Sequence, residues 1–172
     1  MRDLEAKLKE FFGFTSFRNG QKEIIEHLIN GENVLSVMPT GFGKSLCYQL
    51  SALLLEGKTI IVSPLIALMN DQVSALKSYG ILCEALHSDQ SNEDSRTSWN
   101  SFFNGDSKIL YVSPERLTNE NFLSQLKKIN ISFFVVDEAH CISSWGNDFK
   151  PAYSKLEILK NHFPKSTFGA FT

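Results

Sequence analysis

The residues whose types and spacing point most directly to chemistry lie at positions 41–45, where the chain reads Gly-Phe-Gly-Lys-Ser. Glycines permit the bends that turn successive backbone N–H groups inward, and such groups bind phosphate oxygens at the start of a helix. Lys44 can reach the β- and γ-phosphates of a nucleotide, and the Ser45 hydroxyl can bind Mg²⁺. Met38 stands where the full phosphate-binding motif has its first glycine. A glycine-rich turn with a surface lysine therefore stays open as an alternative.

A second group, Asp137 and Glu138, directly follows the apolar run 132–136. A carboxylate at the end of a buried strand is costly unless a cation accompanies it, and Mg²⁺ shared with Ser45 would supply one. Glu138 would then polarise the water that attacks the γ-phosphorus, and His140 would link the nucleotide site to the chain that follows. The alternative is a loop of solvated acids, which two motifs on predicted strands in the correct order disfavour.

The apolar pattern predicts the elements that must position these groups. Short apolar runs predict strands near residues 34, 60, 84, 110, 134 and 169, and helical spacing of apolar residues predicts helices between them. We expect the first strand, at 34–38, to be buried. Continuous apolar strands that alternate with amphipathic helices indicate an α/β fold, a mostly parallel sheet with helices on both faces. Ligands of such sheets bind at the carboxyl ends of the strands, where both motifs lie.

Composition limits the possible classes of protein. The 172 residues carry 17 Lys and Arg against 19 Asp and Glu, and 42% are hydrophobic, as in one ordinary globular domain. The net charge of −2 gives no overall basic field, so any contact with nucleic acid must be local. Three cysteines without C-x-x-C spacing predict reduced thiols. No apolar run approaches the roughly 18 residues that span a membrane.

Several stretches, in the same order along nearly the whole chain, resemble the RecQ family of DNA helicases. Asp-Glu-Ala-His after a phosphate-binding loop marks the superfamily-2, DEAH-box helicases. The other matching stretches are the adenine-recognition motif at 12–21, the phosphate loop at 38–50, motif Ia at 63–72, the strand-to-helix motif at 113–117 and the aromatic-rich loop at 141–149.

The resemblance implies a RecA-like P-loop NTPase fold, with residues 1–172 as the first motor domain of a longer helicase and a second RecA-like domain after it. It implies ATP and Mg²⁺ as cofactors, single-stranded and duplex DNA as partners, 3′-to-5′ translocation and roles in DNA repair and recombination. The expected location is the cytoplasm of a bacterium, or the nucleus of a eukaryote. The isolated piece should bind ATP weakly without useful hydrolysis, because the second domain normally supplies an arginine worth roughly 10³–10⁵ in rate.

The resemblance also implies roles for individual residues. The ATP-binding residues are Phe14, Arg18, Gln21, Thr40, Gly41, Phe42, Gly43, Lys44 and Ser45. The catalytic residues are Lys44, Asp137, Glu138 and His140, with Ser45 and Asp137 as Mg²⁺ ligands. The residues for DNA binding and its coupling to ATP are Ser63, Arg116, Trp145, Asn147, Phe149 and Lys150.

Physical chemistry supports several of these roles. The Gln21 amide can pair with the N6/N7 edge of adenine and so select ATP over GTP, while Phe14 and Arg18 can stack on a purine. Trp145 and Phe149 can stack on DNA bases, or can belong to a satellite core. A second aromatic group consists of Trp99, Phe102 and Phe103. These residues lie at helical spacing, so we expect them to be core.

The chain departs from the family at a few positions. Phe42 replaces a usual glycine, Asn147 a histidine, Lys150 an arginine and Asn70 a lysine. Lysine cannot make the planar, bidentate contact of arginine, so coupling of DNA to ATP can differ here. Two alternatives therefore stay open: a superfamily-2 motor that acts on RNA, and a nucleotide- or DNA-binding module with impaired ATPase activity.

Overall fold

A computed structural model describes residues 3–141 and 156–172. The strands are β1 (Val34–Ser36), β2 (Lys58–Val62), β3 (Cys83–Leu86), β4 (Ile109–Val112), β5 (Ile131–Val136) and β6 (Thr167–Phe171). The helices are α1 (Leu4–Phe12), α2 (Gln21–Ile29), α3 (Lys44–Leu54), α4 (Ile66–Ser78), α5 (Asn92–Phe103), α6 (Glu120–Leu126) and α7 (Leu156–His162), with a 3₁₀ turn at Pro114–Thr118. Each predicted strand is therefore present within a few residues of its expected position.

The strands form one sheet in the order β1-β6-β5-β2-β4-β3, and every neighbouring pair of these described strands is parallel. The prediction of a parallel α/β sheet is confirmed. In this order β6 separates β1 from β5, so the phosphate loop after β1 and the acids after β5 meet across the end of β6. The backbone shows this contact, because the Met38 N–H donates to the Thr172 carbonyl at 2.9 Å and the Ala139 N–H donates to the Phe171 carbonyl at 2.8 Å.

Two apolar cores cover the two faces of the sheet. Alternate residues of β2 belong to different clusters, with Ile61 in one and Ile60 in the other, as the two-residue period of a strand requires. The first cluster contains buried side chains of α1, α2, α3 and α4. The second contains Phe102 of α5, Leu126 of α6 and Leu159 of α7. Helices on both faces are thereby confirmed.

Two expectations about burial are wrong. We expected the first strand to be buried, but Leu35 is 74% exposed and Val37 is 77% exposed. The reason is that β1 is an edge strand and that Leu35 and Val37 belong to neither apolar cluster, so the described elements cover only one face of β1. We also expected the aromatic residues of α5 to be core, yet only Phe102 is fully buried, while Trp99 and Phe103 are partly exposed.

The cysteine prediction is confirmed. All three thiols are free and buried: Cys47, Cys83 and Cys141. Among the described residues, the search for a helix long and apolar enough to cross a membrane finds none.

Candidate nucleotide and magnesium site

The phosphate loop joins β1 to α3, which begins at Lys44. Gly41 and Gly43 have φ angles of +84° and +82°, a left-handed conformation that glycine adopts without the steric cost of a side chain. This local geometry places backbone N–H groups and the first turn of an eleven-residue helix together, as a phosphate cradle needs. The side chain of Phe42 is 45% exposed, so the bulky departure from the family lies largely at the surface of the loop.

The predicted adenine motif contacts the outer side of this loop. Gln21 is only 2% exposed. Its Oε1 accepts from the Arg18 backbone N–H at 2.8 Å, and its Nε2 donates to the carbonyls of Phe42 at 3.2 Å and Gly43 at 3.1 Å. The Arg18 guanidinium donates to the carbonyl of Gly41. Both ends of the Gln21 amide are therefore engaged with backbone, and pairing with adenine requires that these bonds be exchanged.

A cavity of about 190 Å³ lies between this motif and the phosphate loop. Its lining includes Phe14, Arg18, Gln21 and Gly43, and Phe14 is 49% exposed. The structure thus gathers the three predicted base-binding residues beside the loop that they were expected to serve. Thr40 is exposed in the same loop and does not line this cavity.

Asp137 lies directly after β5 and is 4% exposed. Its Oδ2 accepts from the Tyr48 hydroxyl at 3.0 Å, and its Oδ1 accepts from the Glu138 backbone N–H at 3.0 Å. Burial raises the pKa of Asp137 above its ordinary value, while the two hydrogen bonds and the charge of Lys44 act in the opposite direction. The carboxylate is thus held in a fixed orientation in a poorly solvated position, where a cation would stabilise its charge.

Tyr48 is a residue of this site that the sequence did not single out. It lies on α3 three positions after Ser45, is fully buried, and also packs edge-on against Phe171 with ring centroids 5.1 Å apart. Burial raises the pKa of the Tyr48 hydroxyl well above its ordinary value. The hydroxyl donates to Asp137, one of the two predicted Mg²⁺ ligands. The sequence could have indicated Tyr48 as a neighbour of Ser45, because residues three apart in a helix share a face.

A second group of hydrogen bonds lies in the core between α3, β4 and α4. The Gln49 amide donates to the Tyr111 hydroxyl at 3.0 Å and to the Gln72 Oε1 at 2.7 Å. Burial raises the pKa of Tyr111, as it does that of Tyr48. These bonds join side chains of α3, β4 and α4 to one another.

Glu138 has a φ of +51°, which is unusual for a residue with a side chain and costs of order 1–3 kcal/mol. Its carboxylate lies 3.4 Å from His140 Nδ1, and that nitrogen lies 2.8 Å from the Thr172 hydroxyl. The tight turn after β5 therefore brings Glu138 and His140 together, with His140 in contact with the end of β6.

The donor set fits Mg²⁺. A hydroxyl and a carboxylate are the hard oxygen ligands that Mg²⁺ prefers, and protein sites commonly supply one or two of them while phosphates and waters complete the octahedron. Among the described residues, no group of three or more His, Cys, Asp or Glu could hold a metal ion by itself. Mg²⁺ bound by Ser45 and Asp137 would need its remaining ligands from nucleotide phosphates and water.

The predicted DNA-binding residues have different outcomes. Ser63 is 1% exposed, and among the described residues its Oγ has no hydrogen-bond partner, so its contact with DNA phosphate stays a prediction that would require the side chain to become accessible. Its burial follows from its position between strands, where its N–H donates to the Val112 carbonyl at 3.0 Å. Arg116 is partly exposed on the 3₁₀ turn after β4. The remaining residues lie outside the described part of the chain: Trp145, Asn147, Phe149 and Lys150.

Comparison with solved structures supports the fold. A hypothetical ATP-dependent RNA helicase from Sulfolobus tokodaii superposes with a TM-score of 0.74, over 98% of this chain and 49% of that one, at 20% identity. At this identity the likeness shows the fold alone, and the predicted RecA-like fold is confirmed.

Curated relatives are closer in sequence. An ATP-dependent DNA helicase RecQ from Haemophilus influenzae is 46% identical over 96% of this chain and 27% of its own length. A probable ATP-dependent DNA helicase RecS from Bacillus subtilis is 48% identical over 93% of this chain and 32% of its own length. The chain therefore spans about a quarter to a third of these relatives, and the resemblance to RecQ proteins is confirmed. Because the family model "DEAD/DEAH box helicase" matches residues 18–172, this chain belongs to the DEAD/DEAH box helicase family.

Proposed function

We propose that this chain is the first RecA-like motor domain of a RecQ-type, ATP-dependent DNA helicase. The observation that carries the proposal is the hydrogen bond from the Tyr48 hydroxyl to Asp137 Oδ2 at 3.0 Å. It joins α3, the helix that begins in the phosphate loop, to the acid after β5, at the carboxyl ends of a parallel sheet, where ligands of such folds bind.

The proposed reaction is attack of water on the γ-phosphorus of ATP. Lys44 binds the β- and γ-phosphates, and Ser45 and Asp137 hold Mg²⁺, which neutralises charge on the phosphates when bound. Glu138 orients the attacking water and accepts its proton. His140 transmits the state of Glu138 to the end of β6, since its Nδ1 lies near both the Glu138 carboxylate and the Thr172 hydroxyl.

The base of ATP would enter the cavity beside the phosphate loop. Phe14 and Arg18 would stack on the purine, and Gln21 would exchange its bonds to the loop carbonyls for the adenine edge. Nucleotide binding would then release the carbonyls of Phe42 and Gly43, so base recognition and loop conformation are linked in this proposal.

Activity on DNA would require the parent protein. The chain covers about a quarter to a third of its relatives, and a second RecA-like domain would complete the ATPase cleft and supply an arginine to the transferred phosphoryl group. The relatives are named as DNA helicases, and we extend single-stranded and duplex DNA, with 3′-to-5′ translocation, to the parent of this chain. The isolated 172 residues should bind ATP without unwinding DNA.

The decisive experiment measures ATPase activity of the full-length parent with and without single-stranded DNA. Glu138→Gln should abolish turnover while ATP binding remains, and Glu26→Gln, the same change on the exposed face of α2, should leave turnover intact. Absence of DNA stimulation would refute the motor. Stronger stimulation by RNA would favour the RNA-acting alternative. The impaired-ATPase module gains no support from Phe42, because its side chain is largely exposed.

A further inference from the structure

We propose that a pocket between α5 and α6 binds one nucleotide of single-stranded DNA, with its base on Trp99 and its phosphate near Arg96 and Arg116. This inference rests on the proposed function. The pocket has a volume of about 310 Å³ and lies beside the carboxyl end of β3, where Leu86 forms part of its wall. It is remote in the fold from the phosphate loop, since β1 and β3 are at opposite edges of the sheet.

The aromatic wall of the pocket is held in place. The Trp99 ring lies 5.4 Å from Phe122, 5.3 Å from Phe103 and 6.2 Å from Phe102, measured between ring centroids. Phe102 is fully buried and anchors this cluster in the core, while Trp99 remains partly exposed. A rigid, partly exposed indole is a platform on which any base can stack, because every base has a π-face.

The charge of the pocket suits a phosphate. Arg96 and Arg116 both line it, and none of the described residues that line it is a carboxylate, although the whole chain has a net charge of −2. Within residues 3–141 and 156–172, neither guanidinium makes an ion pair or a hydrogen bond. Two unpaired guanidinium groups beside an aromatic wall are therefore available to a ligand, and arginine binds phosphate oxygens through paired N–H groups.

The rim of the pocket is rich in amides. Asn119, Asn121 and Gln125 line it and carry both donors and acceptors, the groups that base edges and sugar oxygens contact. This combination favours a nucleotide over a purely apolar ligand and over a bare phosphate. A paired base cannot reach such a platform without leaving its stack, so the occupant is single-stranded.

A larger cavity adjoins the pocket at the carboxyl ends of the strands. This neighbouring cavity has a volume of about 540 Å³, and Arg116 and Asn119 line both spaces. Its other walls include Pro64 after β2, Ser113 after β4 and one acid, Glu115. A strand that crosses these strand ends can therefore place its next nucleotide against Trp99.

The test uses the indole N–H signals of the ¹⁵N-labelled chain. The chain has two tryptophans, Trp99 and Trp145, so Trp99→Phe assigns the two signals. An oligothymidylate of about ten nucleotides, within the usual range of single-strand site sizes, is titrated into the chain. We expect the Trp99 signal to shift in a saturable manner, and thymidine monophosphate at the same nucleotide concentration to shift it much less, because one phosphate is then bound without its neighbours.

Arg96→Gln tests the phosphate contact. Arg96 is exposed, so this change should leave the fold intact, and Lys9→Gln removes the same charge from the exposed face of α1 as a matched control. Loss of one phosphate contact should reduce the slope of log affinity against log salt by about 0.7. Trp99→Leu should lower affinity about fivefold or more, as for loss of one stacked base.

The outcomes separate this inference from the proposed function. If the strand binds while the Trp99 signal stays unchanged and Arg96→Gln behaves like Lys9→Gln, the pocket is not a nucleotide site and the motor proposal stands. If thymidine monophosphate shifts the signal as strongly as the oligomer, the pocket is a mononucleotide site and the inference is overturned. If neither this chain nor its parent binds DNA, both proposals fail.

Discussion

Replacing Tyr48 with phenylalanine removes one oxygen atom at the point where the phosphate loop and the acid after β5 meet. The hydroxyl donates to Asp137 Oδ2 at 3.0 Å, and both residues are buried, at 0% and 4% exposure. Without this donor, Oδ2 lies in a poorly solvated environment and loses the hydrogen bond from Tyr48. The bond from the Glu138 N–H to Oδ1 remains. We therefore expect Tyr48→Phe to be destabilising even though the ring and its packing are retained.

The magnitude follows from the type of bond. A hydrogen bond to a charged group contributes about 1.5–3 kcal/mol, and a chain of this size loses about 2–4 °C of melting temperature per kcal/mol. The expected decrease in Tm is therefore about 3–12 °C. Tyr111→Phe is the matched control, because Tyr111 is equally buried and its hydroxyl accepts from Gln49, a neutral partner that keeps its bond to Gln72. That change should cost no more than about 1 kcal/mol.

The assay is thermal unfolding at neutral pH, with Mg²⁺-dependent binding of a fluorescent ATP analogue as the second measurement. Tyr48→Phe should also weaken binding in the presence of Mg²⁺, because the hydroxyl orients Asp137, whereas Tyr111→Phe should leave it near the native value. Equal losses of stability in the two variants would show that the bond to Asp137 contributes no more than an ordinary neutral bond. Unchanged Mg²⁺-dependent binding would show that it does not orient a metal ligand.

Three further predictions concern the loop and the thiols. Gln21→Ala should weaken ATP binding about tenfold more than GTP binding, in line with loss of a paired base contact, and equal losses would remove Gln21 from the adenine site. Gly43→Ala should impair nucleotide binding more than Gly41→Ala, because both glycines have positive φ but only at Gly43 would a Cβ meet Gln21 Nε2, at 2.4 Å; similar losses would show that backbone strain alone matters. A thiol reagent should label the native chain very slowly and the denatured chain at three thiols, because all three cysteines are buried. Burial raises the pKa of Cys47 to about 12 and of Cys83 to about 11, and it also raises the pKa of Cys141, so little reactive thiolate is present. Rapid labelling of the native chain would contradict the buried positions.

Much of the fold could be predicted because its signals are local. Apolar runs indicated every described strand within a few residues, and helical spacing indicated helices between them. The exposure of Leu35 could not be predicted in this way. An apolar run is the same for a central strand and an edge strand, and only the pairing order places β1 at the edge.

The candidate site also combines residues that a local pattern indicates with contacts that only the fold creates. Residue types and spacing were enough to predict Lys44, Ser45, Asp137 and Glu138 as site residues, because each motif lies within a few consecutive residues and its chemistry is local. The partners of these groups depend on contacts between distant segments. Tyr48 meets Asp137 across 89 positions.

The sequence by itself therefore determined which groups are candidates for chemistry and at which strand ends they lie. Only the tertiary structure decided what each group contacts. It engages the Gln21 amide with loop carbonyls, buries the Ser63 hydroxyl, and leaves part of Trp99 exposed in a pocket that Arg96 and Arg116 also line. The physical reason is that a side chain's hydrogen bonds and solvent exposure depend on the elements packed around it, and those elements come from parts of the chain that no local pattern connects.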